Sequence, residues 1–253
     1  MSSLTASAAI AAAIFVSGLM GLALQRWLAS HHTADRARDM IGGVVGLLTL
    51  LLALVLGLLI WTAYGVSSVQ QSELQTLSTK ALEFNLEMRQ FGPEADRARE
   101  LLRQDLVWAH EQFWGEDSSQ ADVFEASYKV MGSLNSFLDS LTAATPDKQR
   151  LLAAARANYN FIAEQRILMS MQAATPVAWP LVYTVTLWAC LLFGGMGLLS
   201  KFSPMSLSVL ALGAASVALS MFLILEYGKP YTGSIRVSPA PLEQAILALD
   251  SPS

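Results

Sequence analysis

Residues 41–60 carry no charged side chain and a single hydroxyl, Thr49. Nine Leu together with Ile41, Val44, Val45, Val55 and Ile60 contribute roughly −4 to −8 kcal/mol toward membrane insertion, at about −0.3 to −0.6 kcal/mol each, with no Asp, Lys or Arg opposing them. At about 1.5 Å per residue the run crosses a hydrocarbon core once. Inside lipid every backbone polar group must be satisfied internally, so this stretch is a helix.

Three further apolar stretches give four spans in all. The first covers residues 8–28, is Ala-rich, and closes on Arg26 and Trp27 at an interface; Met1 and Ser7 bound a leading stretch without Lys or Arg, which reads as a retained helix and not a cleaved leader. The second runs from Met40 to Tyr64, with Trp61 and Tyr64 at the opposite headgroup level. The third is residues 179–199 and the fourth residues 205–225, joined by five residues, 200–204. Connections this short make helices 1 and 2 neighbours, and likewise 3 and 4.

The segment between spans 2 and 3 holds most of the charge and reads as helix throughout. Leu74, Leu77, Ala81, Phe84, Met88 and Phe91 alternate spacings of three and four, the stripe of a helix packing on others, and span 2 can run straight into it. Gly92 and Pro93 interrupt the pattern, with Pro93 as the first residue of a new helix carrying Ala98, Leu102, Leu106, Ala109 and Phe113. Residues 115–120 are polar and turn-like. Phe124, Met131, Leu134, Leu138 and Leu141 mark another helix, stopped before Pro146, and Leu152, Ala155, Tyr159, Ile162 and Met169 the last. Four such helices can pack as a bundle.

The fold expected is therefore all-α: a four-helix transmembrane protein with a soluble helical bundle inserted between the second and third transmembrane helices. It divides into a transmembrane hairpin (1–65), an extramembrane bundle (66–178), a second transmembrane hairpin (179–226), and a tail with a short helix at 242–249 (227–253). Strand signals are confined to Ile235 and Val237 in the Pro- and Gly-rich tail.

Composition narrows the function. A net charge of −4 leaves no global basic surface for nucleic acid. The lone Cys190 lies in an apolar segment and reads as a buried thiol. His31, His32, Asp35 and Asp39 share one connection, but their spacing matches no established metal site, and Asp35 serves there as a helix cap. His110 and Glu111 lack the second His of a zinc protease, and no phosphate loop or nucleophile elbow occurs, so no catalytic, cofactor or metal residue is assigned and no enzyme is expected.

The membrane helices are free of charge at depth, which disfavours proton-coupled transport; Glu226, at the end of span 4, marks the water boundary. Gly42, Gly46, Thr49, Ala53 and Gly57 recur at four, three, four and four along one face of span 2. Small residues serve close helix packing. A narrow helix face around a symmetry axis equally suits a pore wall that gates by wetting, and both readings stand. Ser206, Gly213, Ser216 and Ser220 form a similar stripe on span 4, and Gly194, Gly195 and Gly197 a closely packed or flexible patch on span 3.

Sidedness is evenly balanced. Arg26, Arg36, Arg38 and Lys201 lie in the short loops, against Lys80, Arg166, Lys229 and Arg236 on the other side. Loop density and the uncharged N-terminus lean toward cytoplasmic short loops and an external bundle, against the resemblance described below.

The strings RDMIGGVVG (38–46) and ALVLGLL (53–59), then FGPEA (91–95), ARELLR (98–103), Gln165 with Arg166, FLILE (222–226), PYTG (230–233) and VSPAPL (237–242) resemble the bestrophin-like domain family of bacterial inner-membrane proteins, distantly similar to bestrophin anion channels. The likeness spans residues 38–249. It implies a homo-oligomer, a pentamer by analogy, passing small anions across the bilayer, with span 2 lining the pore and the bundle in the cytoplasm. Gly46, Thr49, Ala53 and Gly57 are then the pore-side residues, and Glu226, Pro230, Gly233 and Ser238 the family-motif tail. One departure is plain: bestrophin necks contain Pro on this helix, and none lies between Met40 and Tyr64. The alternative function is a membrane-bound sensor or scaffold whose bundle binds a ligand or partner protein.

Overall fold

A computed structural model describes residues 2–28, 34–115, 123–173, 179–229, 231 and 233–250. Among the described residues eight α-helices follow one another: α1 (Ser3–Leu28), α2 (Ala34–Phe91), α3 (Asp96–Trp114), α4 (Val123–Ser140), α5 (Pro146–Ala173), α6 (Trp179–Leu199), α7 (Pro204–Tyr227) and α8 (Ala240–Asp250). Among the described residues there is no strand, and Ile235 and Val237 are in irregular backbone.

The helix ends follow local chemistry. Gly92, at φ 120°, stops the 58-residue α2 in a backbone conformation that a side chain resists. Pro93 then opens a 3-10 turn, Pro93–Ala95, that leads into α3. Pro146 is the first residue of α5, and the Thr145 hydroxyl accepts from the Lys148 N–H at 3.2 Å. Ser203 caps α7 in the same way, accepting from Ser206 N–H at 3.1 Å ahead of Pro204. α2 begins at Ala34, so Asp35 falls inside its first turn and not ahead of it; the side chains of His31, His32 and Asp35 lie outside the described residues.

The chain forms two compact units, one of Met1–Val66 with Pro176–Gly228 and one of Ser67–Thr175 with Lys229–Ser253. In the first, α1, α6 and α7 pack closely. A Cβ on Gly21 would strike the Gly194 carbonyl oxygen, and one on Gly197 the Gly18 carbonyl oxygen, so α1 and α6 cross backbone to backbone. Ser17 Oγ donates to the Cys190 carbonyl at 2.7 Å across this crossing. The Gly194 and Gly197 patch is thus close packing. α2 joins through side chains, with Leu48, Leu52, Val55, Leu56 and Leu59 reaching the cluster that holds Ile14, Leu22, Val185 and Phe193.

In the second unit, all six stripe residues of α2 are buried with Leu102 and Leu106 of α3, Leu134 and Leu138 of α4, and Leu152, Tyr159 and Ile162 of α5. Each fully buried Leu or Phe contributes about 1.5–3 kcal/mol. The tail completes this core: Tyr231, Val237, Leu242, Ala245 and Leu249 are all buried in it.

Candidate functional site

Successive α2 residues are turned by about 100°, which separates its apolar part into three faces. One packs against the rest of the first unit, as described. A second holds Gly46, Thr49, Ala53 and Gly57, all exposed on one strip. Among the described residues nothing fills the space at its glycines: a Cβ on Gly42, Gly46 or Gly57 would meet no atom of a neighbouring element within 4 Å. Thr49 Oγ1 donates to the Val45 carbonyl at 2.8 Å, so its proton is bound within its own helix. The third face presents Leu47, Leu54 and Leu58, at 59%, 70% and 61% exposure.

The small residues of α7 do not share one environment. Ser206 Oγ donates to the Lys201 carbonyl at 2.8 Å, beside the helix start. Gly213 faces the Phe193 ring, which a Cβ would approach to 2.7 Å. Ser216 and Ser220 donate back to the carbonyls of Leu212 and Ser216.

Of the tail residues, Glu226 differs from expectation. Its side chain is 5% exposed, sheltered by protein at the end of α7 instead of opening on water. Gly233 N–H donates to the Lys229 carbonyl at 3.2 Å. Ser238 is fixed twice, its N–H donating to Gln71 Oε1 at 3.0 Å and its hydroxyl accepting from Ala240 N–H at 3.4 Å, where α8 begins. Pro230 lies outside the described residues.

Around these residues the tail is clamped to the bundle. Trp114 Nε1 donates to the Val237 carbonyl at 2.9 Å, and Tyr231 packs on the rings of Phe113 and Trp114, centroids 5.0 and 5.3 Å away. The last carbonyls of α8 would otherwise have no partner in their helix. Asn85 Nδ2 donates to Ala248 O at 3.1 Å and Arg99 Nη2 to Leu249 O at 3.3 Å, while Arg99 Nε donates to Asn85 Oδ1 at 2.7 Å. A guanidinium at this end also suits the helix dipole. Arg99→Ala should destabilise the second unit by about 1.5–3 kcal/mol, the scale of a hydrogen bond to a charged group. Limited proteolysis checks this, with cleavage after residue 228 expected to accelerate.

Sequence reasoning missed a buried ion pair. Arg166 Nη1 of α5 meets Asp105 Oδ1 of α3, each side chain 2% exposed. The guanidinium lies over Trp108, 5.4 Å from the ring centroid. Burial first, and the Asp105 charge second, push the neighbouring Tyr159 phenol above its ordinary range. A signal was there: Arg166 continues the three-and-four spacing of Tyr159, Ile162 and Met169, a core register where a charge needs a partner.

Among the described residues no cluster of His, Cys, Asp or Glu could hold a metal ion. Four of their helices, those containing Ser3–Gln25, Asp39–Phe91, Trp179–Leu199 and Pro204–Tyr227, are long and apolar enough to cross a membrane. An all-α chain of this kind is a helical membrane protein. It belongs to the Bestrophin-like domain family, which matches residues 10–242. Its fold is similar to that of a mutant bacterial bestrophin homolog from Klebsiella pneumoniae, with 12% sequence identity, a TM-score of 0.67, and coverage of 95% of this chain and 96% of that one. No curated protein matches the chain.

Proposed function

We propose that the chain is one subunit of a homo-oligomeric, pentameric channel of the bacterial inner membrane that passes small anions, with α2 lining the passage. Residues 1–65 and 179–226 are its transmembrane hairpins. Residues 66–178 are the bundle inserted between spans 2 and 3, and residues 227–253 the tail that returns to it. The observation that carries this reading is the exposed strip of Gly46, Thr49, Ala53 and Gly57, with open space beside its two glycines among the described residues. Repeated around an axis, such strips form a narrow, uncharged conduit that gates by wetting. Family membership and the shared fold support it. Gly233 and Ser238 hold the tail in place, and no catalytic residue is assigned.

A thiol scan tests this. With Cys190 replaced by Ser, single cysteines at Gly46, Thr49, Ala53 and Gly57 should react with a charged, water-soluble thiol reagent and block anion flux from liposomes, while cysteines at Leu47 and Leu58 should stay unreactive. A monomeric mass together with no flux overturns the channel, and copurification of a defined partner protein then favours the scaffold.

A further inference from the structure

Between α1, α2 and α6 lies an apolar groove of about 870 Å³, lined by Met20, Leu24, Val44, Leu48, Leu191 and Leu198 among others. This is within the roughly 300–1,000 Å³ of sites that accept a small molecule. Its depth comes from α6, where Gly194 and Gly195 present no side chain; a Cβ on Gly195 would come 2.5 Å from Val45 Cγ2. The Ser17 hydroxyl at its wall is already committed to the Cys190 carbonyl, so the lining offers an occupant hydrocarbon contact and little else.

The groove's position says what fills it. On α2, Val44 and Leu48 stand roughly half a turn around the helix from the strip of Gly46, Thr49, Ala53 and Gly57. If that strip faces the axis of the assembly, as proposed above and on which this inference rests, the groove opens away from the axis onto bilayer hydrocarbon. Its walls all belong to helices long and apolar enough to cross a membrane. We propose that the groove seats one acyl chain of a bilayer phospholipid. α2 is then a wall of both the lipid seat and the passage, so the occupant bears on conduction.

The test uses the full chain in vesicles of phosphatidylglycerol and phosphatidylcholine doped with phosphatidylcholine carrying a diazirine in one acyl chain, with adducts mapped by mass spectrometry. Adducts at Met20, Val44 and Leu191 should exceed several-fold those at Leu212 and Leu219, which are exposed on α7 outside the groove. Val44→Trp and Met20→Trp, filling the groove from opposite walls, should each remove that excess, and agreement between them guards against one variant failing to fold. No excess in the parent, an excess that survives both replacements, or a disulfide joining two copies through Val44→Cys overturns the proposal. The thiol scan reads the passage separately. Reactive strip positions without lipid excess overturn the groove alone, whereas lipid excess with an unreactive strip upholds the seated chain and removes the passage.

Discussion

Gly197→Leu should abolish recovery of folded protein, whereas Gly46→Leu should leave the subunit's stability unchanged. Both are glycines in apolar helices, and the difference is what a side chain would meet. At Gly197 a Cβ would approach Leu22 N at 2.9 Å and Gly21 Cα at 3.1 Å, besides striking the Gly18 carbonyl oxygen, and all of these are backbone atoms. No side-chain rotation relieves that, so α1 and α6 must separate, and the hydrogen bond from Ser17 to the Cys190 carbonyl is lost with the crossing. Overpacking against side chains costs about 1–3 kcal/mol, and a backbone obstacle places this case above that range. At Gly46 the neighbouring space is open. Thermal midpoints of the detergent-solubilised variants, read by size exclusion, check the pair. Equal midpoints for Gly197→Leu and the parent would contradict the crossing.

The second large effect concerns charge. Asp105→Asn leaves the Arg166 guanidinium buried without its carboxylate, a loss of about 3–5 kcal/mol, while replacing both residues with Leu and Met should recover most of it, because well-packed apolar groups often match a buried pair. The cation–π contact with Trp108 softens the single variant but does not replace a counter-charge. Thermal unfolding followed by circular dichroism, run as a double-mutant cycle on the full chain, measures the coupling. Additive effects of the two single changes would show that the pair contributes nothing as a pair.

These two sites were unevenly legible in the sequence. The α2 stripe from Leu74 to Phe91 was plain because three-and-four spacing is a local property, and every one of those residues is buried. Gly92 with Pro93 was plain for the same reason, although the turn after it is 3-10 before it becomes α3. The small strip on α2 could be seen as a strip, but whether the chain covers it depends on where α1 and α6 lie, which no periodicity encodes. Asp105 and Arg166 stand 61 residues apart (166 − 105), and Gly18 with Gly21 on α1 gained meaning only beside Gly194 and Gly197. Glu226 shows the converse: a charge at a helix end suggests water, yet packing shelters it.

The place of the tail in the second core bears on how the chain is made. Leu242, Ala245 and Leu249 close a cluster whose other helices end by Thr175, so 75 more residues (250 − 175) must leave the ribosome first, roughly 4–15 s at about 5–20 residues per second. During that interval two further apolar helices have to enter the bilayer while Phe84, Leu102 and Tyr159 wait without their lid. A nascent chain stalled before residue 240 therefore exposes a sticky, half-built surface, and biogenesis of this protein calls for shelter until α8 has emerged.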